Sequence, residues 1–219
     1  MTAAGRVTRV AAILRRAVPK LAEPAVGRIK RETRDPYRIL VSCVVSLRTK
    51  DEVTDVASRR LFALARTPRV MARLPAARIA RTIYPAGFYR TKARQIRALS
   101  RILLARHRGR VPADRAALMA LPGVGIKTTN LVLGEGFGIP AICVDIHVHR
   151  ISNRLGLIRT RTPEESEVAL RRLLPRRLWI EWNRWLVPFG RAVCQPVSPW
   201  CSKCPLARCC PRRGVTRKR

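Results

Sequence analysis

A lysine that follows a glycine-containing turn is the residue of this chain whose position most clearly suggests chemistry. The stretch 121–127 reads Leu-Pro-Gly-Val-Gly-Ile-Lys. Gly123 and Gly125 would let the main chain approach a phosphate at the N-terminus of the next helix. Lys127 falls in the first turn of that helix, where the positive end of the helix dipole disfavours the ammonium form. The sequence therefore predicts a phosphate-binding turn beside an amine nucleophile.

Asp145 is the expected partner of this lysine. It lies in the segment Val144-Asp-Ile-His147, and its carboxylate could orient the nucleophile or stabilise positive charge as a glycosidic bond breaks. Each feature also has a purely structural interpretation, because a Gly-Val-Gly turn can simply join two helices and an aspartate before Ile146 can be a helix N-cap. The combination of turn, lysine and acid favours catalysis.

Four cysteines form a second candidate site. Cys194, Cys201, Cys204 and Cys210 follow the spacing Cys-x6-Cys-x2-Cys-x5-Cys in a chain that has 7 cysteines. No apolar signal-peptide core precedes the first predicted helix, so we expect a reducing compartment and favour a metal over disulfides. One Cys-x2-Cys pair with two more distant cysteines favours an iron-sulfur cluster over zinc, although zinc stays open. Cys209 could bind in place of its neighbour Cys210.

Together these motifs resemble the endonuclease III family of helix-hairpin-helix DNA glycosylases. The matching pieces are the hairpin and lysine of residues 121–130, the segment 144–147, the cysteine spacing, and Gly87-Phe-Tyr-Arg-Thr-Lys-Ala93, which is similar to the family's segment before its long central helix. The similarity extends from about residue 10 to residue 211. It implies an all-α, helix-hairpin-helix glycosylase fold with a six-helix barrel domain and an iron-sulfur cluster domain.

By this resemblance the barrel domain covers residues 29–139, with the helix-hairpin-helix at about 113–135. The cluster domain covers residues 1–28 and 140–211, and residues 212–219 form a basic tail that we expect to be mobile. Hydrophobic periodicity also favours helices throughout and no strands. The predicted helices are 6–17, 36–47, 51–65, 68–73, 76–82, 89–107, 113–120, 126–135, 146–155, 163–173 and 176–189. Cys43 and Cys143 lie in apolar runs and are interpreted as core residues.

The resemblance also implies roles for individual residues. Lys127 would be the Schiff-base nucleophile and Asp145 the catalytic carboxylate. Arg48 lies where relatives place the side chain that fills the gap left by an extruded nucleotide, although an arginine at a helix end could equally contact a phosphate. The expected ligands of a [4Fe-4S] cluster are Cys194, Cys201, Cys204 and, on spacing, Cys210. The expected DNA contacts are Leu121, Gly123, Val124, Gly125, Arg48 and His147.

The function implied by the resemblance is base-excision DNA repair. We expect a bifunctional DNA glycosylase that removes oxidised pyrimidines and nicks the abasic site by β-elimination. Action on pyrimidine dimers or mismatches, a mainly abasic-site lyase activity, and a non-catalytic DNA-binding scaffold are alternatives. Monofunctional mismatch glycosylases of this fold place Tyr or Ser at the position of Lys127, and the presence of both Lys127 and Asp145 argues against a scaffold.

The charge of the chain agrees with a polyanionic partner. Lys and Arg number 46 against 13 Asp and Glu, a formal net charge of +33, and such a field attracts nucleic acid. The predominance of arginine can also reflect the base composition of the gene. We expect a monomer that binds double-stranded DNA containing damaged bases or abasic sites, does not bind membranes, and is cytoplasmic and nucleoid-associated if its source is prokaryotic.

Two departures from the family pattern affect these expectations. Residues 195–200 contain no Lys or Arg, whereas some relatives use basic side chains in this loop to touch the DNA backbone, so Lys203, Arg208 or Arg212 would have to replace them. Met119 and Ala120 occupy the stretch in which some relatives have a glutamate that assists the lysine. Proton transfer would then use another group or water.

Overall fold

The structure is a computed structural model that describes residues 2–219. Over that range it contains α-helices and no β-strand, which confirms the all-α expectation. The helices are α1 (Ala3–Ala17), α2 (Ala25–Thr33), α3 (Pro36–Ser46), α4 (Asp51–Leu64), α5 (Pro68–Arg73), α6 (Ala76–Ile83), α7 (Tyr89–His107), α8 (Arg115–Met119), α9 (Ile126–Phe137), α10 (Ile146–Arg154), α11 (Pro163–Leu173) and α12 (Trp179–Ala192). Within this range, every helix is too short or too polar to cross a lipid bilayer.

Helix α2 is the one that the sequence analysis misses. Its N-cap residue, Pro24, makes no side-chain capping bond. The Ala25 N–H instead donates to both carboxylate oxygens of Asp51, at 2.9 and 3.1 Å, and Arg28 lies 3.7 Å from the same carboxylate. The cap that starts α2 is therefore supplied by the first residue of α4, and no local pattern reveals it.

The chain forms two compact units. We call Pro24–Ile139 the central unit, and the chain up to Glu23 together with Pro140–Arg219 the terminal unit. The first boundary lies between Glu23 and Pro24 rather than after residue 28, because α2 packs on α3 and α4.

Helix α3 is the main core element of the central unit. Residues on all of its faces are buried, including Ile39, Leu40 and Val44, which explains why its sequence is apolar throughout rather than along one stripe. It packs against α2, α4, α7 and α9. Cys43 is 1% exposed within this core, in agreement with its interpretation from the sequence. The helix that carries Lys127 thus rests on a fully buried support.

The two ends of the chain meet in the terminal unit. Leu14 of α1, Val148 of α10 and Trp182 of α12 belong to one buried cluster. Trp182 is 0% exposed, and its indole N–H donates to Ser152 Oγ at 3.2 Å, so this tryptophan is a core residue. Because α1 buries its apolar face here, the N-terminal helix depends on the C-terminal third of the chain for its stability.

Candidate active site and metal centre

The glycine turn joins α8 to α9 as a helix-hairpin-helix requires. It closes through the Val124 N–H, which donates to the Leu121 carbonyl at 3.1 Å. Gly123 has a φ of 79°, a left-handed conformation that glycine adopts without strain. A Cβ at Gly123 would also displace the flexible end of the Gln95 side chain, but it is the left-handed conformation that favours glycine at this position.

The two apolar residues of the hairpin are buried, whereas its second glycine is exposed. Leu121 and Val124 are 2% and 7% exposed, so their side chains support the turn from inside and do not offer a surface to DNA. Gly125 is exposed, and a Cβ built on it meets no atom within 4 Å. The entry to α9 therefore has an open face at a helix N-terminus, where a phosphate can approach closely.

Lys127 is exposed in the first turn of α9. The three residues after it are buried, and Asn130 Oδ1 accepts a hydrogen bond from Arg115 Nη1 of α8 at 2.7 Å. Burial raises the pKa of the Cys43 thiol to about 12, and the charge of Lys127 opposes that rise. Lys127 thus lies within electrostatic reach of α3, on a helix that is braced by its hairpin partner.

Asp145 is the N-cap of α10 and keeps one carboxylate oxygen available. Its Oδ1 accepts from the N–H groups of His147 and Val148, both at 2.9 Å, so the structural interpretation of this residue is correct. Within residues 2–219, Oδ2 accepts no hydrogen bond. His147, the other predicted residue of this segment, is half-buried, with its Nδ1 3.0 Å from Arg150 Nη2. A cap and a catalytic carboxylate are compatible because each uses a different oxygen.

Two arginines one turn apart connect α10 to residues 194–210, which we call the cysteine loop. Arg150 donates to the Cys194 carbonyl through Nε at 3.2 Å and Nη2 at 2.9 Å. Arg154 is 8% exposed and donates to Cys194 Sγ at 3.4 Å and to the carbonyls of Gln195 and Pro196 at 2.6 and 2.5 Å. A group that orders the cysteine loop would therefore also order α10, the helix that Asp145 caps. The sequence carries no sign of these roles, because arginine is frequent throughout the chain.

The four predicted ligands are free, partly buried thiols. Burial raises the pKa of the Cys204 thiol to about 11, and Cys194, Cys210 and Cys201 contribute to the rise, which shows that the four sulfurs are electrostatically coupled. Within residues 2–219, no three Cys, His, Asp or Glu side chains converge closely enough to hold one metal ion. Four thiols form a donor set that both zinc and an iron-sulfur cluster accept.

The C-terminal tail is bound to the cysteine loop, which differs from the expected mobile tail. The Arg219 N–H donates to the Pro199 carbonyl, and the Arg219 carbonyl accepts from the Ser202 N–H, both at 2.9 Å. The Arg219 guanidinium lies 4.0 Å from the centroid of the Trp200 ring, and Lys203 Nζ lies 5.3 Å from it. Arg219 and Lys203 therefore place two positive charges beside residues 195–200, which contain no Lys or Arg.

Arg48 and Phe88 form an exposed pair of which the sequence analysis identified only the arginine. Their φ angles are 49° and 56°, a left-handed conformation that costs a non-glycine residue about 1–2 kcal/mol. Phe88 is 63% exposed, and the Arg48 guanidinium lies 5.6 Å from its ring centroid. Strained residues persist where the surrounding structure holds them, frequently at functional sites. The strain at Phe88 has no local sequence signal.

Comparisons with known proteins agree with this geometry. Residues 41–176 match the family described as HhH-GPD superfamily base excision DNA repair protein. Endonuclease III of Thermotoga maritima is 48% identical over 202 residues, which cover 90% of this chain and 95% of that protein. A solved non-covalent endonuclease III–DNA complex is 34% identical with a TM-score of 0.86, over 97% of both chains. A trapped endonuclease III–DNA covalent intermediate is likewise 34% identical over 97% of both chains, with a TM-score of 0.85. The chain therefore belongs to the endonuclease III family of helix-hairpin-helix base-excision DNA repair proteins.

Proposed function

We propose that this chain is a bifunctional DNA glycosylase and abasic-site lyase that removes oxidised pyrimidines from double-stranded DNA. The observation that carries the proposal is the exposed Lys127 in the first turn of α9, directly after an open glycine turn. The turn offers main-chain N–H groups to a phosphate of the damaged strand, and the amine reacts with the nearby deoxyribose. The likeness to endonuclease III in a DNA complex and in a trapped covalent intermediate supports both parts of this proposal.

The reaction consists of a substitution followed by an elimination. The lone pair of neutral Lys127 Nζ forms a bond to the anomeric carbon, and the electrons of the glycosidic bond leave with the damaged base, which takes up a proton. The C1′–O4′ bond then breaks, its electrons leave with O4′, which takes up the proton that Nζ loses, and the product is a protonated Schiff base. That cation makes a C2′ proton acidic, and its removal expels the 3′ phosphate and nicks the strand. Water then hydrolyses the Schiff base and releases Lys127.

Asp145 supplies negative charge to this reaction. Positive charge develops on the sugar as the glycosidic bond breaks, and a fixed carboxylate stabilises it more than water does because the carboxylate does not have to reorient. The two N–H bonds to Oδ1 fix the orientation of the side chain, while Oδ2 has no hydrogen bond within residues 2–219. We therefore assign Oδ2 to the substrate.

The exposed pair of the central unit has a place in substrate binding. A base inside a duplex is inaccessible to the amine, so the damaged nucleotide must be extruded and the gap filled. We assign gap filling to Arg48 and Phe88, which combine a cation with a large apolar ring at exposed positions. The net charge of +33 supplies general attraction to DNA, with the strong salt dependence that such binding shows. A genomic substrate implies a cytoplasmic location if the source is prokaryotic, and we propose a monomer.

The thiols of Cys194, Cys201, Cys204 and Cys210 would hold a [4Fe-4S] cluster. Their partial burial and electrostatic coupling support this assignment. The cluster would cross-link the cysteine loop and would have to form with deprotonated thiols. Arg150 and Arg154 transmit the order of that loop to α10 and hence to Asp145.

Strand cleavage of defined duplexes tests the proposal. The substrates carry an abasic site, a thymine glycol, a pyrimidine dimer or a mismatch, and the proteins are the native chain and Lys127→Gln. We expect the native chain to cleave the abasic and thymine glycol duplexes and Lys127→Gln to bind both without cleaving either. Binding by the native chain with neither base release nor cleavage would establish the scaffold alternative, and base release without cleavage would indicate a monofunctional glycosylase. Cleavage by Lys127→Gln would remove the lysine from the mechanism.

A further inference from the structure

Lys92 of α7 is a buried cation that the chemistry above does not use. It is 3% exposed. Its Nζ donates to the Val45 carbonyl at 2.7 Å, to Thr49 Oγ1 at 2.8 Å and to the Leu47 carbonyl, so all three of its partners are uncharged. Burial lowers the pKa of Lys92 to about 8. An ammonium without a counter-ion is costly to bury, and the three acceptors show what offsets that cost.

The three acceptors surround the chain on both sides of Arg48. Val45 lies in the last turn of α3, where carbonyl groups lack helical partners and a cation is favourable. Leu47 and Thr49 are the two chain neighbours of Arg48. The Lys92 ammonium therefore caps the C-terminal end of α3 and hydrogen-bonds to both chain neighbours of Arg48. Arg48 itself is exposed and has a left-handed backbone conformation.

The same residue is connected to Phe88. The Lys92 main-chain N–H donates to the Phe88 carbonyl at 3.0 Å, which makes it part of the first turn of α7. The Gly87 N–H donates to Thr49 Oγ1 at 3.1 Å, and a Cβ at Gly87 would overlap the Arg48 carbonyl oxygen. The two strained residues are thus held by one junction, which consists of Lys92, Thr49 and Gly87.

We propose that Lys92 is a positioning residue for nucleotide extrusion. Its three side-chain hydrogen bonds hold the chain on both sides of Arg48, and the Arg48 guanidinium lies against the Phe88 ring, so Lys92 fixes the arrangement that presents both side chains to the duplex. The inference rests on the function proposed above. Loss of the ammonium leaves the Val45 and Leu47 carbonyls without this donor, and the strained segment relaxes toward ordinary backbone angles. None of the three acceptors belongs to α9, so the reaction at Lys127 stays intact when the junction is lost.

Lys92→Met in the full chain tests this, because methionine has a similar length and no donor. The first substrate is a duplex with a thymine glycol beside 2-aminopurine, whose fluorescence rises when the neighbouring nucleotide is extruded. The second is a single-stranded oligonucleotide with an abasic site, which requires no extrusion. We expect the rate of base removal from the duplex to fall about tenfold or more. The fluorescence increase that reports extrusion should become smaller as well. Cleavage of the single strand should change less than about threefold, since its barrier lacks the extrusion step.

Two further variants make the result decisive. Ser100→Ala lies on the same helix and removes a buried hydrogen bond to the Tyr37 hydroxyl, 2.7 Å away, so it measures the effect of destabilisation alone and should not separate the two substrates. Gly87→Ala keeps Lys92 but displaces the Arg48 carbonyl, so it should reproduce the loss of base removal from the duplex with little change on the single strand. If Lys92→Met does not fold, Gly87→Ala alone tests the inference. Equal losses on both substrates in Lys92→Met and Gly87→Ala would overturn the inference. Failure of the native chain to cleave either substrate would count against the proposed function instead.

Discussion

Asp145→Asn separates the capping role of this residue from its catalytic role. Asparagine can accept the same two main-chain N–H bonds that Oδ1 accepts at 2.9 Å, so the cap survives. The substitution removes the interaction of the negative charge with the helix dipole, which amounts to about 0.3–1 kcal/mol, together with its attraction to Arg150. For a chain of this size that is a fall in Tm of about 1–4 °C. Asp145→Ala loses the cap as well, and we expect about 1–2 kcal/mol.

The effect on turnover should be far larger than the effect on stability. Removal of one fixed group that stabilises transition-state charge lowers kcat by about 10²–10³-fold. Thermal unfolding measures the effect on stability, and single-turnover base removal measures the effect on turnover. The DNA affinity of the variant shows whether binding is retained. Asp35→Asn is the matched control, because Asp35 caps α3 through one N–H bond at 2.9 Å. Native turnover in Asp145→Asn, or an equal loss in Asp35→Asn, would show that the Asp145 carboxylate has no specific catalytic role.

Three other predictions concern the cysteine loop and the core. Arg154→Met removes the donor to the Gln195 and Pro196 carbonyls. The purified protein should contain less iron and show weaker visible absorbance. Native iron content would show that Arg154 does not order the cysteine loop. Arg219→Ala should speed iron loss to a chelator, because the guanidinium also donates to Gln195 Oε1 at 2.6 Å; Lys218→Ala is the control and should not. Burial raises the pKa of Cys43 from 9.0 to about 12, so the folded state keeps a proton that the unfolded state releases. Through this thiol the free energy of unfolding should fall between pH 9 and 12 by about 1.4 kcal/mol per pH unit. Burial also raises the pKa of Tyr37 and of Cys204, so chemical denaturation of Cys43→Ala should give a slope that is shallower by this amount.

The parts of the site that could be predicted from the sequence are those whose residue types leave few alternatives. A positive φ in a tight turn requires glycine, as at Gly123, and a nucleophilic amine must directly follow that turn if it is to act beside the bound phosphate. Sulfur ligands are similarly restricted, because only cysteine supplies thiolates. The hairpin, Lys127 and the cysteine spacing could therefore be recognised from residue types and their spacing alone.

The features that the sequence did not reveal depend on partners far apart in the chain. The start of α2 needs Asp51, the role of Arg154 needs the cysteine loop, and Lys92 acts on residues that end another helix. A lysine or arginine at such positions looks the same as one on a solvated surface. In a chain with 46 basic residues, only tertiary contacts distinguish the few that hold the structure together.

Covalent trapping detects the bond that we propose between the Lys127 amine and deoxyribose. The native protein is incubated with a thymine glycol or abasic duplex in the presence of borohydride, which reduces a Schiff base to a stable amine, and the cross-linked peptide is identified by mass spectrometry. We predict a single adduct, on Lys127. An adduct on another amine, or strand cleavage that leaves no adduct, would show that Lys127 is not the nucleophile.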